Sequence, residues 1–439
     1  VIEKSFRSFA RINYHPMSIA FRILIVGALL VLIDLYFYQA IRTIMIGSSV
    51  ARKNLVFYIY WGFTLCAVLL SLMPSFIPLQ EWPKAIRIYL FAFVIMVLIS
   101  KIIGSVFIAV DDIIRLFRWI GSYLAKAPQP VTGEIAPNPN PHAISRLKFL
   151  NYVALGMAAL PFASFLYGMV KGAFDYKVHR QKVVLPNLPA SFNGLKIVQI
   201  SDIHSGSFVS TGPLEEAVRI VNEQKADIVF FTGDLVNDRS EEVEPFMDVL
   251  KKITAPMGVY STLGNHDYGD YVTWESPQAK IENLEELKRK HAQLGWKLMM
   301  NEHVALRRGD DAIALIGIEN WGGNLNFPKY GDMKKAHAGT ENYPVKLLLS
   351  HDPSHWEKQV RKEYKDVDIT FSGHTHGFQF GIEIPGFKWS PSQYVYKEWA
   401  GLYTEENQHI YVNRGLGFLG YPGRVGILPE ITVMELYNA

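Results

Sequence analysis

A single cysteine, Cys66, occurs in 439 residues, which excludes an internal disulfide framework and a cysteine-rich zinc module. It leaves the compartment open, because disulfide-free proteins live on either side of a membrane. Charge is also scarce: Asp, Glu, Lys and Arg make up 19% of the chain and the formal net charge is +3, against roughly 25% charged residues in soluble domains. With 49% hydrophobic residues, that balance rules out a disordered chain and one that grips a nucleic-acid polymer through a dense basic field. The length fits two or three domains.

The scarcity of charge is uneven. Phe149–Val170 has no charged residue and carries Pro161 inside it. Leu55–Met73 lies in the charge-free stretch 54–80 and is closed by Pro74 and Pro78. Ile88–Val110 is interrupted only by Lys101, and Ile23–Ile41 only by Asp34. Each approaches the ~20 residues that span a bilayer as a helix. Four in succession predict a multi-pass, all-α integral membrane domain over residues 1–172, in preference to buried helices of a soluble protein or a cleaved signal peptide. Asp34 and Lys101 are costly in lipid, so they are expected to face the bundle interior, paired with each other, or to snorkel.

Asp111–Ile120 alternates apolar and basic residues at helical spacing and predicts a separate helix lying along the lipid interface. Ala127–Pro141, rich in Pro and Asn, predicts a flexible connector. An even number of spans places both ends of the chain on one side. Lys4, Arg7, Arg11, Lys84 and Arg87 on that side are matched by Arg42, Arg52, Lys53, Arg115 and Lys126 on the other, so the positive-inside rule is silent. Ser145-Arg146-Leu147-Lys148 ahead of an apolar run is similar to a twin-arginine export signal without its second arginine. It tilts the expected position of the following domain to the extracytoplasmic side; two cations anchoring a helix end are the equal alternative.

From about Ala173 the pattern becomes α/β, with strand-length apolar runs alternating with helical stretches such as Leu214–Glu223 and Ile281–Leu294. Five runs each end in a polar cluster. Leu195–Ile200 leads into Ser201-Asp202-Ile203-His204, Asp227–Phe231 into Thr232-Gly233-Asp234, and Gly258–Thr262 into Leu263-Gly264-Asn265-His266-Asp267. Val345–Leu349 leads into Ser350-His351-Asp352, and Val367–Phe371 into Ser372-Gly373-His374-Thr375-His376. Strand ends of α/β sheets are where sites form. Asp, His and Asn without Cys suit divalent Zn, Mn or Fe. Asp202, His204, Asp234, Asn265, His351, His374 and His376 are too many donors for one ion and enough for two sharing a carboxylate. A pair of ions about 3.5–4 Å apart can hold a bridging hydroxide and clamp the oxygens of a phosphoryl group.

These motifs, in this order, resemble the calcineurin-like metallophosphoesterase family over roughly residue 195 to the C-terminus. The resemblance implies an α/β two-sheet sandwich flanked by helices, placed over residues 173–439. It implies one ion on Asp202, His204 and His376, another on Asn265, His351 and His374, and Asp234 between them. His266 resembles the family histidine that contacts the phosphate and helps protonate the leaving oxygen, with Asp267 orienting it. The membrane-associated branch carries Ser-Gly-His-Thr-His-Gly-Gly-Gln and a late Arg-Gly-Leu-Gly. Here Phe378 replaces a glycine of the first segment, altering the expected substrate shape, while Arg414-Gly415-Leu416-Gly417 and Arg424 match the second. Arg414 and Arg424 are candidates for a substrate phosphate contact or, equally, for a structural ion pair.

The expected activity is membrane-anchored phosphoester hydrolysis, with a phospholipid or nucleotide-linked glycolipid as substrate and the bilayer as partner. A non-catalytic sensor or transporter would fit had a metal ligand been lost, and none is. A protein phosphatase is a further alternative. The aromatics Phe387, Trp389, Tyr394, Tyr396, Trp399 and Tyr403 are expected either in a lipid-facing wall beside the site or in the core.

Overall fold

The computed structural model describes residues 19–73, 76–77, 82–124, 146–324 and 327–439. Lys4, Arg7, Arg11, Pro74, Pro78, Lys126, the 127–141 connector and Ser145 lie outside them. The chain divides into two compact units, 1–163 and 164–439.

The first unit is built on α1 (Ile19–Ile44), α2 (Val50–Leu72), α3 (Phe91–Leu124) and α4 (Arg146–Val170), the last turns of α4 entering the second unit. All four helices are long and apolar enough to cross a membrane. Large apolar side chains such as Leu32, Ile59 and Val106 point outward, and small residues sit inside. Ala40, Ala154 and Ala158 are buried, and a side chain at Gly104 would run into Phe37 and Ala158. Close approach through small residues is how helices associate where lipid removes the hydrophobic drive.

Asp34 and Lys101 meet as a buried ion pair. Tyr60 donates to Asp34 Oδ1 at 2.6 Å, and the ammonium lies 4.6 Å from the Tyr60 ring centre. The pairing expected of these two residues is therefore present. The separate interface helix expected at 111–120 is not: those residues continue α3 without a break. No Pro or Gly interrupts them, and the acidic pair that would mark an end is absorbed by Arg115, 3.2 Å from Asp111, and by Tyr36, which donates to Asp112 at 2.8 Å. At 1.5 Å per residue, α3 runs about 50 Å, well past a ~30 Å hydrocarbon layer.

The second unit is a sandwich. In chain order its strands are β1 (Lys177–Val184), β2 (Leu195–Ile200), β3 (Ile228–Thr232), β4 (Val259–Thr262), β5 (Trp296–Leu298), β6 (Glu302–Arg308) and β7 (Asp311–Gly317). They continue with β8 (Lys346–Leu349), β9 (Ile369–Ser372), β10 (Ile382–Ile384), β11 (Phe387–Trp389), β12 (Gly401–Glu405), β13 (Gln408–Val412) and β14 (Glu430–Tyr437). One sheet has the order β1-β14-β2-β3-β4-β5 and the other β12-β13-β9-β8-β7-β6, while β10 and β11 form a separate ribbon. The five runs expected to carry the site are β2, β3, β4, β8 and β9, and every residue of these strands except Lys196 and Tyr260 is buried. Burial on both faces is why they read as largely apolar runs.

The core between the sheets gathers Leu195, Ile197, Ile228 and Phe230 from one side and Leu315, Leu347, Ile369 and Phe371 from the other. The Phe230 and Phe371 rings meet edge to face at 5.0 Å. Helices α5 (Gly212–Glu223) and α6 (Pro277–Gln293) cover the outer face of the first sheet through Leu214, Val218, Val221 and Leu287. Ser276 caps α6 by accepting the N–H of Ala279 at 3.1 Å.

Candidate metal centre

The carboxyl ends of β2, β3 and β4 in one sheet meet those of β8 and β9 in the other, and the polar clusters that follow converge there. Asp202, His204, Asp234, Asn265, His351 and His376 are buried, and the His374 imidazole nearly so. The chain turns sharply to bring them in. Asp202, His204, Asp234, His374 and His376 all have φ between 49° and 72°, and Gly233 between them has φ +94°. A non-glycine residue in the left-handed region costs on the order of 1 kcal/mol or more, so the surrounding bonds must hold these turns. Asp202 does so directly, accepting the His374 N–H with both carboxylate oxygens at 3.0 Å.

Two donor groups result, Asp202 with His204 and His376, and Asp234 with His351 and His374; within each group the donor atoms lie within 4.8 Å of one another. In the first, His204 Nε2 is 3.0 Å from His376 Nε2, which is 3.4 Å from Asp202 Oδ1. In the second, His351 Nε2 is 3.1 Å from Asp234 Oδ2 and 3.2 Å from both His374 Nδ1 and Asn265 Oδ1. Asp234 Oδ2 also lies 3.5 Å from His204 Nε2, so it borders both groups. Donors around a tetrahedral ion bound at ~2.0–2.1 Å are roughly 3.3 Å apart. The spacing therefore fits divalent ions, and no Lys or Arg forms an ion pair with Asp202 or Asp234 among the described residues.

Outer contacts set the imidazole tautomers. The Thr232 carbonyl accepts from His351 Nδ1 at 2.6 Å, and Asn237 Oδ1 lies 3.2 Å from His204 Nδ1. Each leaves Nε2 facing the cluster with its lone pair, as a ligand requires. His374 turns the other way, with Nε2 on the Tyr396 hydroxyl at 2.8 Å. Asn265 donates to the Tyr271 hydroxyl at 2.9 Å, presenting Oδ1 inward.

The electrostatics agree with a site made for cations. Burial lowers His204 to about 3 and His374 to about 4. Burial, with His204 and Arg424 alongside, holds His376 well below the usual imidazole range. All three are therefore neutral at physiological pH. Burial also raises Asp202 to about 6, against the pull of His351. For His351, burial is outweighed by the Asp234 carboxylate, and the residue rises to about 10.

His266 lines the cleft over the cluster, beside His204, His374, His376, Phe327, Phe378, Tyr396 and Leu419. Its Nδ1 donates to the Asn237 carbonyl at 2.8 Å, and its ring packs against Tyr271 at 4.7 Å. The expectation that Asp267 orients this imidazole is corrected. Its carboxylate instead accepts the N–H groups of Asp234, Leu235, Val236 and Gly264 at 2.8–3.2 Å, tying the β3 and β4 loops together.

Of the two alternatives for Arg414 and Arg424, a substrate phosphate contact or a structural ion pair, Arg414 takes the second, and Arg424 is held by backbone carbonyls. Arg414 is 3% exposed and paired with Glu430 and, at 2.6 Å, with Glu383. Arg424 is fully buried and donates to the carbonyls of Arg414 and Gly417 at 2.7 and 2.6 Å, with His376 Nδ1 3.1 Å away. Neither reaches the cleft. Phe378 does, at φ +54° and more than half exposed. Tyr396, one of the aromatics expected beside the site or in the core, borders it; Asn237 and Tyr271 were not expected there, and no local motif announces them.

Residues 195–378 match the family described as "Calcineurin-like phosphoesterase", and residues 19–173 match "Probable Calcineurin-like phosphoesterase, transmembrane domain". The chain is 33% identical over 281 residues to the transmembrane protein with metallophosphoesterase domain of Danio rerio, covering 62% of this chain and 60% of that one. It thus spans less than two thirds of that relative. It is 31% identical over 254 residues to the uncharacterized metallophosphoesterase YkuE of Bacillus subtilis, covering 57% and 81%. To the UDP-2,3-diacylglucosamine pyrophosphatase LpxG of Chlamydia muridarum it is 27% identical over 301 residues, covering 57% and 86%. The strand-end clusters, the sandwich that brings them together and these likenesses over both halves agree: this is an integral membrane protein of the calcineurin-like phosphoesterase family.

Proposed function

We propose that this chain hydrolyses phosphoesters with two divalent cations, of Mn, Zn or Fe. Asp202, His204 and His376 would hold one and Asn265, His351 and His374 the other. The observation that carries the reading is Asp234, whose Oδ2 stands 3.5 Å from one donor group and 3.1 Å from the other. When bound, such a pair supplies a nucleophile from water and neutralises charge on the phosphoryl oxygens.

The protein's own share is positioning and proton transfer. The Thr232 carbonyl and Asn237 fix the donor tautomers, and the four N–H groups gathered by Asp267 fix the loops that carry Asp234 and Asn265. His266 has its Nδ1–H committed to Asn237, so Nε2 is the atom that can pass a proton to a leaving oxygen in the cleft.

The substrate in this reading is amphiphilic, a phosphodiester or pyrophosphate carrying acyl chains. Four spans exceed what an anchor needs, Phe327, Phe378 and Leu419 make the cleft wall apolar, and one relative is named for a diacylated nucleotide sugar. The test is turnover of chromogenic phosphodiesters and monoesters by the full chain with each metal added. Activity lost in Asp234→Asn and His374→Ala is expected; no turnover with any metal, or full turnover in those variants, overturns the proposal.

A further inference from the structure

The β10–β11 ribbon exposes both of its faces, and one of them is apolar. Ile382 pairs with Trp389, Glu383 with Lys388 and Ile384 with Phe387. Successive strand residues point to opposite faces, so Ile382, Ile384, Phe387 and Trp389 share one face and Glu383 and Lys388 share the other. The charged face is tied to the domain. Glu383 accepts from Arg414 Nη2 at 2.6 Å, and Lys388 donates to the Ala400 carbonyl with its ammonium 4.8 Å from the Trp399 ring centre. The apolar face is open, with Ile382, Ile384 and Phe387 each about half exposed. Pro385-Gly386 closes the tip, Gly386 at φ +81° as such a turn requires, and the tip carries no charge. Beside it, Trp389 Nε1 donates to the Tyr394 hydroxyl at 3.4 Å, and Tyr394 is 75% exposed. Trp and Tyr with polar tips are the residues of membrane–water interfaces.

The root of the ribbon says what covers it. The last turns of α4, residues 164–170, belong to the same compact unit. Phe165 stacks on Phe380 at 5.8 Å and meets Tyr421 edge-on at 5.3 Å, and the Gly168 carbonyl accepts the Arg424 N–H at 3.1 Å. Phe380, two residues before Ile382, is 6.4 Å from Trp389. The end of a membrane-crossing helix and the root of the ribbon are thus one packed body. His376 and Phe378, which line the cleft, precede the ribbon, and Tyr396 follows it.

We propose that the apolar face of this ribbon is seated in the interfacial layer of the bilayer, holding the cleft mouth at the membrane surface. The cleft then takes a phosphoester whose acyl chains remain in lipid. The substrate half rests on the hydrolase reading; the seating of the ribbon does not.

The test uses the full chain, with Cys66→Ser, in nanodiscs of phosphatidylcholine and phosphatidylglycerol. A fluorophore is placed at Ile384→Cys, at Phe387→Cys, or, as a control, at Lys334→Cys. The ribbon positions should be quenched by spin-labelled lipid and shielded from aqueous iodide, the control the reverse. Iodide quenching equal to the control overturns the proposal. So does shielding from both quenchers in particles holding two copies, which would assign the face to a second chain. In the same discs, Ile384→Ser with Phe387→Ser should leave turnover of a soluble chromogenic diester unchanged and lower that of a lipid phosphodiester about tenfold. Equal loss on both overturns the substrate half. Absence of turnover in the parent chain refutes the hydrolase reading alone, and the quenching still decides the ribbon.

Discussion

Replacing Arg414 by methionine should cost stability and spare substrate affinity. Glu430 is fully buried and accepts from Arg414, Tyr411 and Thr432, the Thr432 hydroxyl at 2.6 Å. Burial opposes its charge, but Arg414 prevails and holds the carboxyl at about 2 rather than the ordinary 4.5. At about 1.4 kcal/mol per pH unit, that gap corresponds to roughly 3 kcal/mol, in line with the ~3–5 kcal/mol lost when one partner of a buried pair is removed. The contact to the partly exposed Glu383 adds little. Each kcal/mol moves the midpoint of a domain this size by about 2–4 °C, so the second unit should melt about 6–12 °C lower near pH 7.5.

The pH dependence has a definite sign. Glu430 ionises more readily folded than unfolded, so the pair's contribution is complete above the ordinary 4.5 and lost as pH falls toward about 2. The difference between parent and variant should therefore narrow below about pH 4.5. Thermal denaturation of the full chain at several pH values, with Michaelis constants measured on the folded protein, checks both halves. An unchanged midpoint with a Michaelis constant raised tenfold would mean that the guanidinium meets the substrate, and the reasoning would fail.

Three further outcomes follow from the geometry. His266→Ala should lower kcat by about 10²–10⁴ for esters with poor leaving groups and far less for a nitrophenyl ester, which needs no proton; equal losses would deny it the proton-transfer role. Tyr396→Phe removes the hydroxyl 2.8 Å from His374 Nε2 and should weaken metal affinity by about 10–100-fold, read by metal titration. In the bundle, Asp34→Leu or Lys101→Leu alone should destabilise the protein in detergent, and the two together should restore most of the loss; additive losses would show that the pair acts through something other than mutual neutralisation.

The seven donors are legible in the chain because each follows a strand-length apolar run, where burying a cluster of polar groups is costly unless they are bonded or bind something. Which sheet each strand joins is not legible. Leu195–Ile200 and Val345–Leu349 are equally apolar because both are buried on two faces. The partners of the donors are hidden for another reason. Asn237, Tyr271 and Tyr396 belong to no motif and arrive by tertiary packing, and the Thr232 contact uses a backbone carbonyl, which no sequence displays. Asp267 shows the limit of local inference: adjacent to His266 in the chain, it serves the backbone of two loops instead. The run from 111 to 120 misleads because its amphipathic spacing suits an interface helix, yet nothing in it stops α3.

We propose that Asp234 is shared by two cations. It is tested most directly by elemental analysis of the purified full chain after loading with Mn, Zn or Fe, with activity measured on the same sample. Two ions per active chain are expected, with loss of both occupancy and turnover in Asp234→Asn. A chain that stays metal-free after loading, or one that is fully active with a single ion, would contradict it.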